Sequence, residues 1–201
     1  TVNPTGSTFH YNNATNDVSG NTLPAESYFM YTTGTWFRNQ LNPGQANVLE
    51  QYIYSSSYDK GEFWSSAFST PTSPVSSNLN NLYIYSSGPA AILKFGAAGC
   101  SDTLRHIQLK LNSVLIEDTA LNNFDDLVTT ITVPISSLNS SSSNFQFINH
   151  SQAVTYSDRL VVSFYELTYP RQFDFGGQAN FSFELPARLS GYFLNISDFN
   201  Q

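Results

Sequence analysis

The sequence is poor in charged residues. Asp, Glu, Lys and Arg together make up 11% of its 201 residues, and the formal net charge is −7. A globular chain usually carries roughly one quarter charged residues. Binding of nucleic acid needs a basic stripe or patch, which this sequence lacks. We therefore expect no nucleic-acid partner and a surface of Ser, Thr and Asn, as in many extracellular β-proteins.

Cysteine and long apolar runs are scarce as well. Cys100 is the only cysteine, which excludes an internal disulfide framework. No apolar run approaches the ~20 residues of a membrane-spanning helix, so no membrane span is expected. No signal peptide opens the chain at Thr1. A polar start of this kind is typical of a processed terminus or of a domain excised from a longer protein, and we expect the excised domain.

Strand-forming residues are abundant, with 16 Phe and 12 Tyr besides many Val, Ile and Thr. From His106 to Asn112 the chain alternates, with Ile107, Leu109 and Leu111 on one face. No apolar period of a helix is sustained. Short strands separated by turn signals predict an all-β protein, a jelly-roll-like β-sandwich of about ten strands. We expect residues 1–201 to form a single domain, with a minor sub-boundary suggested by the Ser/Pro-rich loop at 69–78.

The densest strand signal begins at Leu160. Apolar residues at neighbouring positions predict a strand buried on both faces in the middle of a sheet. Strict alternation places Leu160, Val162 and Phe164 on one face and Val161 and Tyr165 on the other. The strand is expected to end before Pro170, which has no N–H for a ladder.

A hairpin is expected to follow this strand. A three-residue loop at 176–178 pairs Phe175 with Ala179 and Phe173 with Phe181, so that the phenylalanines share a face. A two-residue Gly-Gly turn would shift the register by one position and separate them, which favours the longer loop.

Residues suited to catalysis are few and scattered. His10, His106 and His150 lie far apart in the sequence, and none has a partner at the spacing of a zinc site. His106 is expected at the exposed end of its strand. Cys100 invites a nucleophile hypothesis with His106 as its base, but its neighbours provide no positive charge to activate a thiol. We expect a structural thiol in a turn, and no catalytic, cofactor-binding or metal-binding residue.

The acidic residues allow two further hypotheses. Four of them lie in predicted loops: Asp125, Asp126, Asp158 and Asp198. Turn and cap roles are expected for them, with calcium binding as the alternative, since calcium needs six or more converging oxygens. Glu166 and Glu184 resemble the carboxylate pair of a glycosidase, but a salt bridge to Arg171 or Arg188 is the expected role.

Aromatic residues are concentrated in the first third of the chain: Tyr31, Trp36, Phe37, Tyr52, Tyr54, Tyr58, Phe63 and Trp64. Exposed aromatic platforms stack on sugar rings, which makes a carbohydrate-binding module or adhesin one functional hypothesis. The other interpretation is that these side chains cover the core. Burial of Trp36 and Trp64 would remove the carbohydrate hypothesis.

The C-terminal region resembles a known family. The strand Leu160–Arg171, the phenylalanine-rich stretch 173–183 and the segment Tyr192–Asp198 are similar to the region before the gingipain-type cysteine peptidase domain of PorU-type sortases. These are the signal peptidases of type IX secretion in Bacteroidetes. The resemblance rests on Tyr165, Tyr169 and Arg171 and covers less than a quarter of the chain. Ser163 and Asn195 depart from the pattern, which has acidic residues there.

This resemblance implies a non-catalytic domain of a larger protein at the bacterial cell surface, associated with the outer membrane. Its implied partner is a downstream peptidase domain of the same polypeptide, with secreted cargo proteins or a glycan as further partners. The catalytic His and Cys of the family have no counterparts here, so no catalytic residue is carried over. The chain itself is expected to be no enzyme and to need no cofactor.

Overall fold

The computed structural model describes residues 20–42, 45–48, 51–54, 63–151 and 158–200. Its strands are β1 (Phe29–Trp36), β2 (Gln40–Asn42), β3 (Gln45–Val48), β4 (Gln51–Tyr54), β5 (Phe63–Ser65), β6 (Val75–Asn80), β7 (Ala91–Gly99), β8 (Arg105–Leu111), β9 (Val114–Ala120), β10 (Asp126–Val133), β11 (Ser142–Ser151), β12 (Leu160–Arg171), β13 (Asp174–Gln178) and β14 (Ser197–Phe199). A single turn of 3-10 helix covers Ile135–Ser137. Within these ranges no helix is long and apolar enough to cross a membrane.

Eight strands form two antiparallel sheets that face each other. The first sheet has the order β1-β12-β7-β10 and the second the order β6-β11-β8-β9. Strands adjacent in the chain lie mostly in different sheets, and the first and last of the eight pair side by side, which is jelly-roll topology. The predicted all-β sandwich is thus confirmed. Six further strands are short and form three two-stranded sheets.

The core lies between the two sheets and follows from the alternation of their strands. In β8, Ile107, Leu109 and Leu111 are buried as predicted, and they share one apolar cluster with Phe95 of β7 in the other sheet and Phe145 of β11 in their own sheet. The alternate residues of β8, which are His106, Gln108 and Lys110, lie on the outer face, as in a sandwich strand that buries one face.

Strand β12 lies inside the first sheet, between β1 and β7, as predicted. Its alternation, however, is broken by a β-bulge at Ser163: Val162 pairs with Ala97, and Phe164 pairs with Gly96. The bulge inserts one residue and thereby exchanges the two faces of the strand. Leu160 and Val162 therefore share the core with Tyr165, whereas Phe164 faces outward, which corrects the predicted assignment.

The end of β12 also differs from the expectation. The strand continues through Pro170, which lies opposite Met30 of β1. Its ladder with β7 has already ended at Thr168 and Ile92, so no strand on that side requires the missing N–H. The carbonyl of Pro170 accepts a hydrogen bond from the N–H of Tyr85.

The predicted hairpin at 173–183 is wrong. Strand β13 pairs in parallel with β14, where Asp174 lies opposite Ser197, and residues 179–183 form no strand. The phenylalanines nevertheless meet without a ladder: the rings of Phe175 and Phe181 stack with centroids 4.5 Å apart. The phenylalanine rings therefore pack together as the sequence suggested, although the two segments that carry them are not paired as strands.

The expected loop at 69–78 also differs from the sequence pattern. It contains most of β6, and Ser69 exchanges two backbone hydrogen bonds with Leu160. Strand β7 runs through Gly96 to Gly99, and the segment 192–196 contains a single bridge, from Phe193 to Ala25.

Candidate functional site

A row of four opposed residues crosses the outer face of the first sheet. Trp36 of β1 lies opposite Phe164, Phe164 lies opposite Gly96, and Gly96 lies opposite Val128 of β10. Directly opposed residues share a face of the sheet. The indole of Trp36 and the ring of Phe164 are stacked, with centroids 4.4 Å apart and planes 13° from parallel.

The missing side chain of Gly96 makes this stack possible. A Cβ on Gly96 would lie 2.6 Å from Cε1 of Phe164 and 2.6 Å from Oγ of Ser163. The ring of Phe164 thus occupies the space that any other residue at position 96 would fill. Lys94 contributes its ammonium, with Nζ 5.8 Å from the centroid of the Phe164 ring.

A short sheet stands beside this row and completes a cleft. Strand β5 pairs with β2, with Trp64 opposite Leu41, and the segment after β5 is tied to β12 by the N–H of Ser66, which donates to the carbonyl of Val162. The cleft has a volume of about 430 Å³ and is lined by Trp36, Phe37, Arg38, Phe63, Trp64, Ala97, Ala98, Phe124, Asp126, Leu127, Val128, Ser163 and Phe164.

Both tryptophans of the cleft are accessible. Trp36 is 61% exposed and Trp64 is 56% exposed, so the outcome that would have removed carbohydrate binding is not observed. The Nε1 of Trp36 donates to Oε1 of Glu166 at 3.2 Å, which fixes the indole plane. Other aromatic residues from the first third of the chain are less accessible: Tyr31 and Phe37 are half-buried against the core. The side chains of Tyr52, Tyr54 and Tyr58 lie outside the described part of the chain.

The arrangement suits binding by contact with ring faces. The lining includes the indoles of Trp36 and Trp64 and the phenyl ring of Phe164, together with the charged residues Arg38 and Asp126. Aromatic faces stack on apolar or sugar rings, and tryptophan and arginine are the side chains that most often dominate contact surfaces.

Cys100 is a buried thiol with structural contacts. It is 1% exposed, and its Sγ donates to Oδ1 of Asn42 at 3.6 Å. It packs with Ala98 and Val161 in a small second apolar cluster under Phe63 and Phe68. The residue directly follows the end of β7. His106, its proposed base, is an exposed residue of β8.

Asp158 belongs to a buried ion pair rather than to a loop of free carboxylates. Its Oδ1 accepts from Nε of Arg105 at 2.6 Å and from Oγ of Ser101 at 2.6 Å, and both charged side chains are 0% exposed. Arg105 also donates to the carbonyls of Leu121 and Asn123. Burial alone raises the pKa of Asp158, but the Ser101 hydrogen bond and the Arg105 charge outweigh burial and hold the pKa below its ordinary value.

The other acidic candidates are exposed: Asp125, Asp126 and Asp198. Within the described ranges no three His, Cys, Asp or Glu side chains form a group able to hold a metal ion. The expected salt bridges of the glutamates are wrong. Glu166 accepts from Trp36, and Arg188 pairs with Glu26 at 2.6 Å instead of Glu184.

The three residues that carry the family resemblance are buried, Tyr165 in the middle of β12 and Tyr169 and Arg171 at its C-terminal end. The hydroxyl of Tyr169 donates to the carbonyl of Leu82 at 2.7 Å. Arg171, 4% exposed, donates to the carbonyls of Asn81 and Asp174, and its guanidinium lies 4.7 Å from the ring of Tyr83. Burial raises the pKa of Tyr169, although Arg171 opposes this shift. These side chains join β12 to the segment before β7.

The structure brings together two histidines that the sequence separates. His106 lies opposite His150 in the register of β8 and β11, and Nδ1 of His106 is 2.6 Å from Oδ1 of Asp118 on β9. The hydrogen bonds from His106 and from Gln108 hold the pKa of Asp118 below its ordinary value. Sequence spacing gave no sign of this cluster, because three different strands supply it.

No protein-family model matches this chain, and no curated protein matches its sequence. Among solved structures, dimeric latent PorU from Porphyromonas gingivalis is similar over 75% of this chain, with a TM-score of 0.54 and 10% sequence identity. The chain spans 13% of the PorU chain. At this identity the similarity shows a shared fold.

Two carbohydrate-binding modules are similar at lower scores. A family 36 module, solved with calcium and xylotriose, has a TM-score of 0.39 and 10% identity, covering 67% of this chain and 98% of the module. A family 35 module from Clostridium thermocellum has a TM-score of 0.32 and 12% identity, covering 71% of this chain and 98% of the module. Scores this low do not establish a common fold.

Proposed function

We propose that this chain is a non-catalytic binding domain of a PorU-like protein at the bacterial cell surface. In this proposal residues 1–201 form one domain that packs against a gingipain-related peptidase domain downstream in the same polypeptide. The shared fold with part of PorU supports the proposal. The burial of Tyr165, Tyr169 and Arg171 supports it as well. These residues carry the family resemblance, and a domain whose role is to pack against a peptidase domain is expected to share buried framework residues with its family.

The aromatic cleft is the proposed contact surface. The single observation that carries this assignment is the exposure of two indoles beside a stacked phenyl ring on one face of the sheet. Val128, which is 56% exposed and lies opposite Gly96, adds exposed apolar area beside them. Contiguous exposed apolar area of this kind marks contact surfaces.

Carbohydrate binding at the same cleft is the second candidate function. It is favoured by the orientation of Trp36, whose plane is fixed by the bond to Glu166 and by the parallel ring beneath it. A flat, rigid indole is the surface on which a sugar ring stacks. In this case the ligand is a glycan at the cell surface, and calcium is no required partner.

Trp36→Ala and Trp64→Ala test the cleft, with Thr132→Ala of β10 as the control. Under the first candidate, the variants weaken binding of this chain to the peptidase domain by roughly 2 kcal/mol or more, and a glycan array stays negative. Under the second, the array is positive and the variants abolish its signal. A gene that ends near the codon of Gln201 would refute the first candidate.

A further inference from the structure

Two imidazoles stand side by side on the outer face of the second sheet, away from the cleft. His106 and His150 are directly opposed in antiparallel strands, which places their Cβ atoms about 5 Å apart on the same face. Their neighbours Ile107 and Asn149 are buried, so both histidines point away from the core. Both are exposed.

A carboxylate already orients one of these rings. Oδ1 of Asp118 lies 2.6 Å from Nδ1 of His106, and Nε2 of Gln108 donates to Oδ2 of Asp118 at 2.8 Å. A carboxylate accepts hydrogen bonds, so Nδ1 is the nitrogen that carries the proton when the ring is neutral, and the lone pair of that neutral ring is on Nε2. Histidine ligands of metals commonly show this arrangement, in which the other ring nitrogen donates to a carboxylate.

We propose that His106 and His150 together bind one divalent transition-metal ion of the kind that prefers imidazole ligands, and that Asp118 is a positioning residue for His106. Zn²⁺, Cu²⁺ and Ni²⁺ belong to this class. Two imidazoles supply the protein ligands, and water completes the coordination shell. The site therefore needs no third protein ligand, in keeping with the lack of a three-residue group in the described ranges.

Titration of the chain with Zn²⁺, followed by calorimetry, tests this site. We expect one Zn²⁺ per chain, with affinity reduced at least tenfold in His106→Gln and in His150→Gln. His10→Gln is the matched control and leaves the affinity unchanged. Asp118→Ala, which removes the acceptor of the His106 hydrogen bond, is expected to weaken binding about tenfold, and in ¹⁵N NMR His106 is expected to lose its preference for a proton on Nδ1. All of these variants except His10→Gln alter exposed positions of strands, and their thermal unfolding is expected to match that of the parent chain.

Two results would overturn the metal site. The first is the absence of Zn²⁺ binding to the parent chain, and the second is binding that survives His150→Gln or disappears in His10→Gln. The positioning role of Asp118 would be overturned by an unchanged affinity and an unchanged tautomer of His106 in Asp118→Ala.

Discussion

At the scale of single residues, the buried pair of Arg105 and Asp158 holds together two segments that are distant in sequence. Arg105 opens β8, and Asp158 precedes β12. Removing one partner of a buried pair leaves the other charge without compensation. We expect Asp158→Asn to lower the free energy of unfolding by about 3–5 kcal/mol, measured by urea denaturation. Asp102→Asn, at an exposed position nearby, is the control and should change it little.

The same pair gives the stability a defined pH dependence. The pKa of Asp158 in the folded chain lies below its value in the unfolded chain, which is about 3.9. Its contribution is therefore complete above that value and is lost as pH falls through the lower, folded-state pKa. Unfolding followed from about pH 5 to pH 2 should show a smaller loss of stability for Asp158→Asn than for the parent chain. Parallel curves would contradict this assignment.

Gly96 determines the shape of the cleft through the space it leaves. In Gly96→Ala the added Cβ overlaps the ring of Phe164, which must move and thereby separate from Trp36. We expect an altered tryptophan fluorescence spectrum and weaker binding of whichever ligand the cleft takes, without loss of the fold. Thr130→Ala, two residues along from Val128 on β10, is the control. An unchanged spectrum would show that the ring does not depend on the glycine.

At the scale of elements, β12 shows what a pattern predicts and what it does not. Its buried position was predicted because apolar residues occupy both faces. The outward direction of Phe164 was not predicted, since nothing in the alternation marks the extra residue at Ser163. A bulge depends on how β7 and β12 are aligned, and that alignment is a property of two strands.

The pairing of β13 was mispredicted for a related reason. Two consecutive glycines indicate a tight turn, and both Gly176 and Gly177 do have positive φ angles, of 61° and 72°. The partner strand is β14, however, about twenty residues further along the chain. The two glycines correctly indicate a bend in the chain. Which strand then pairs with β13 depends on tertiary packing, which the local sequence does not show.

The β13–β14 pair should open independently of the sandwich. The N–H of Ser197 donates to the carbonyl of Phe173 at 2.9 Å, and Ser197→Pro removes this donor. We expect faster hydrogen exchange at residues 174–178 with a small change in the melting temperature, because β14 is exposed and lies outside the main core. Asn200→Ala, which keeps its N–H, is the control. A large drop in melting temperature would mean that the pair is part of the cooperative unit.

At the scale of the whole molecule, the fold follows from simple features of the sequence. Short alternating strands with polar turns predict two packed sheets, and the structure contains them. For the candidate sites, the sequence named Trp36, Phe37, Phe63 and Trp64 as a possible aromatic platform, but it predicted neither the cleft that they line nor the histidine pair. The cleft combines a bulge in β12, a glycine in β7 and an indole from β1, and the histidine pair combines β8, β9 and β11. Such sites become visible only when the order and register of the strands are known.

The two sites lie on different sheets of the sandwich. The aromatic cleft belongs to the sheet of β1, β12, β7 and β10, and the histidine pair belongs to the sheet of β6, β11, β8 and β9. A partner bound at one sheet therefore leaves the outer face of the other accessible. Binding at the cleft is expected to proceed unchanged in His106→Gln and His150→Gln, and a loss of that binding would mean that the sites are coupled.

The proposed function places a partner on the aromatic cleft. Hydroxyl-radical footprinting with mass spectrometry tests this binding directly, because the oxidation rates of Trp36 and Trp64 report their exposure. We expect fast oxidation in this chain alone and slow oxidation in a polypeptide that also carries the proposed peptidase domain, or on addition of a glycan. Leu189, which is fully exposed and does not line the cleft, is the internal reference. Equal rates for both tryptophans in all three samples would contradict the claim.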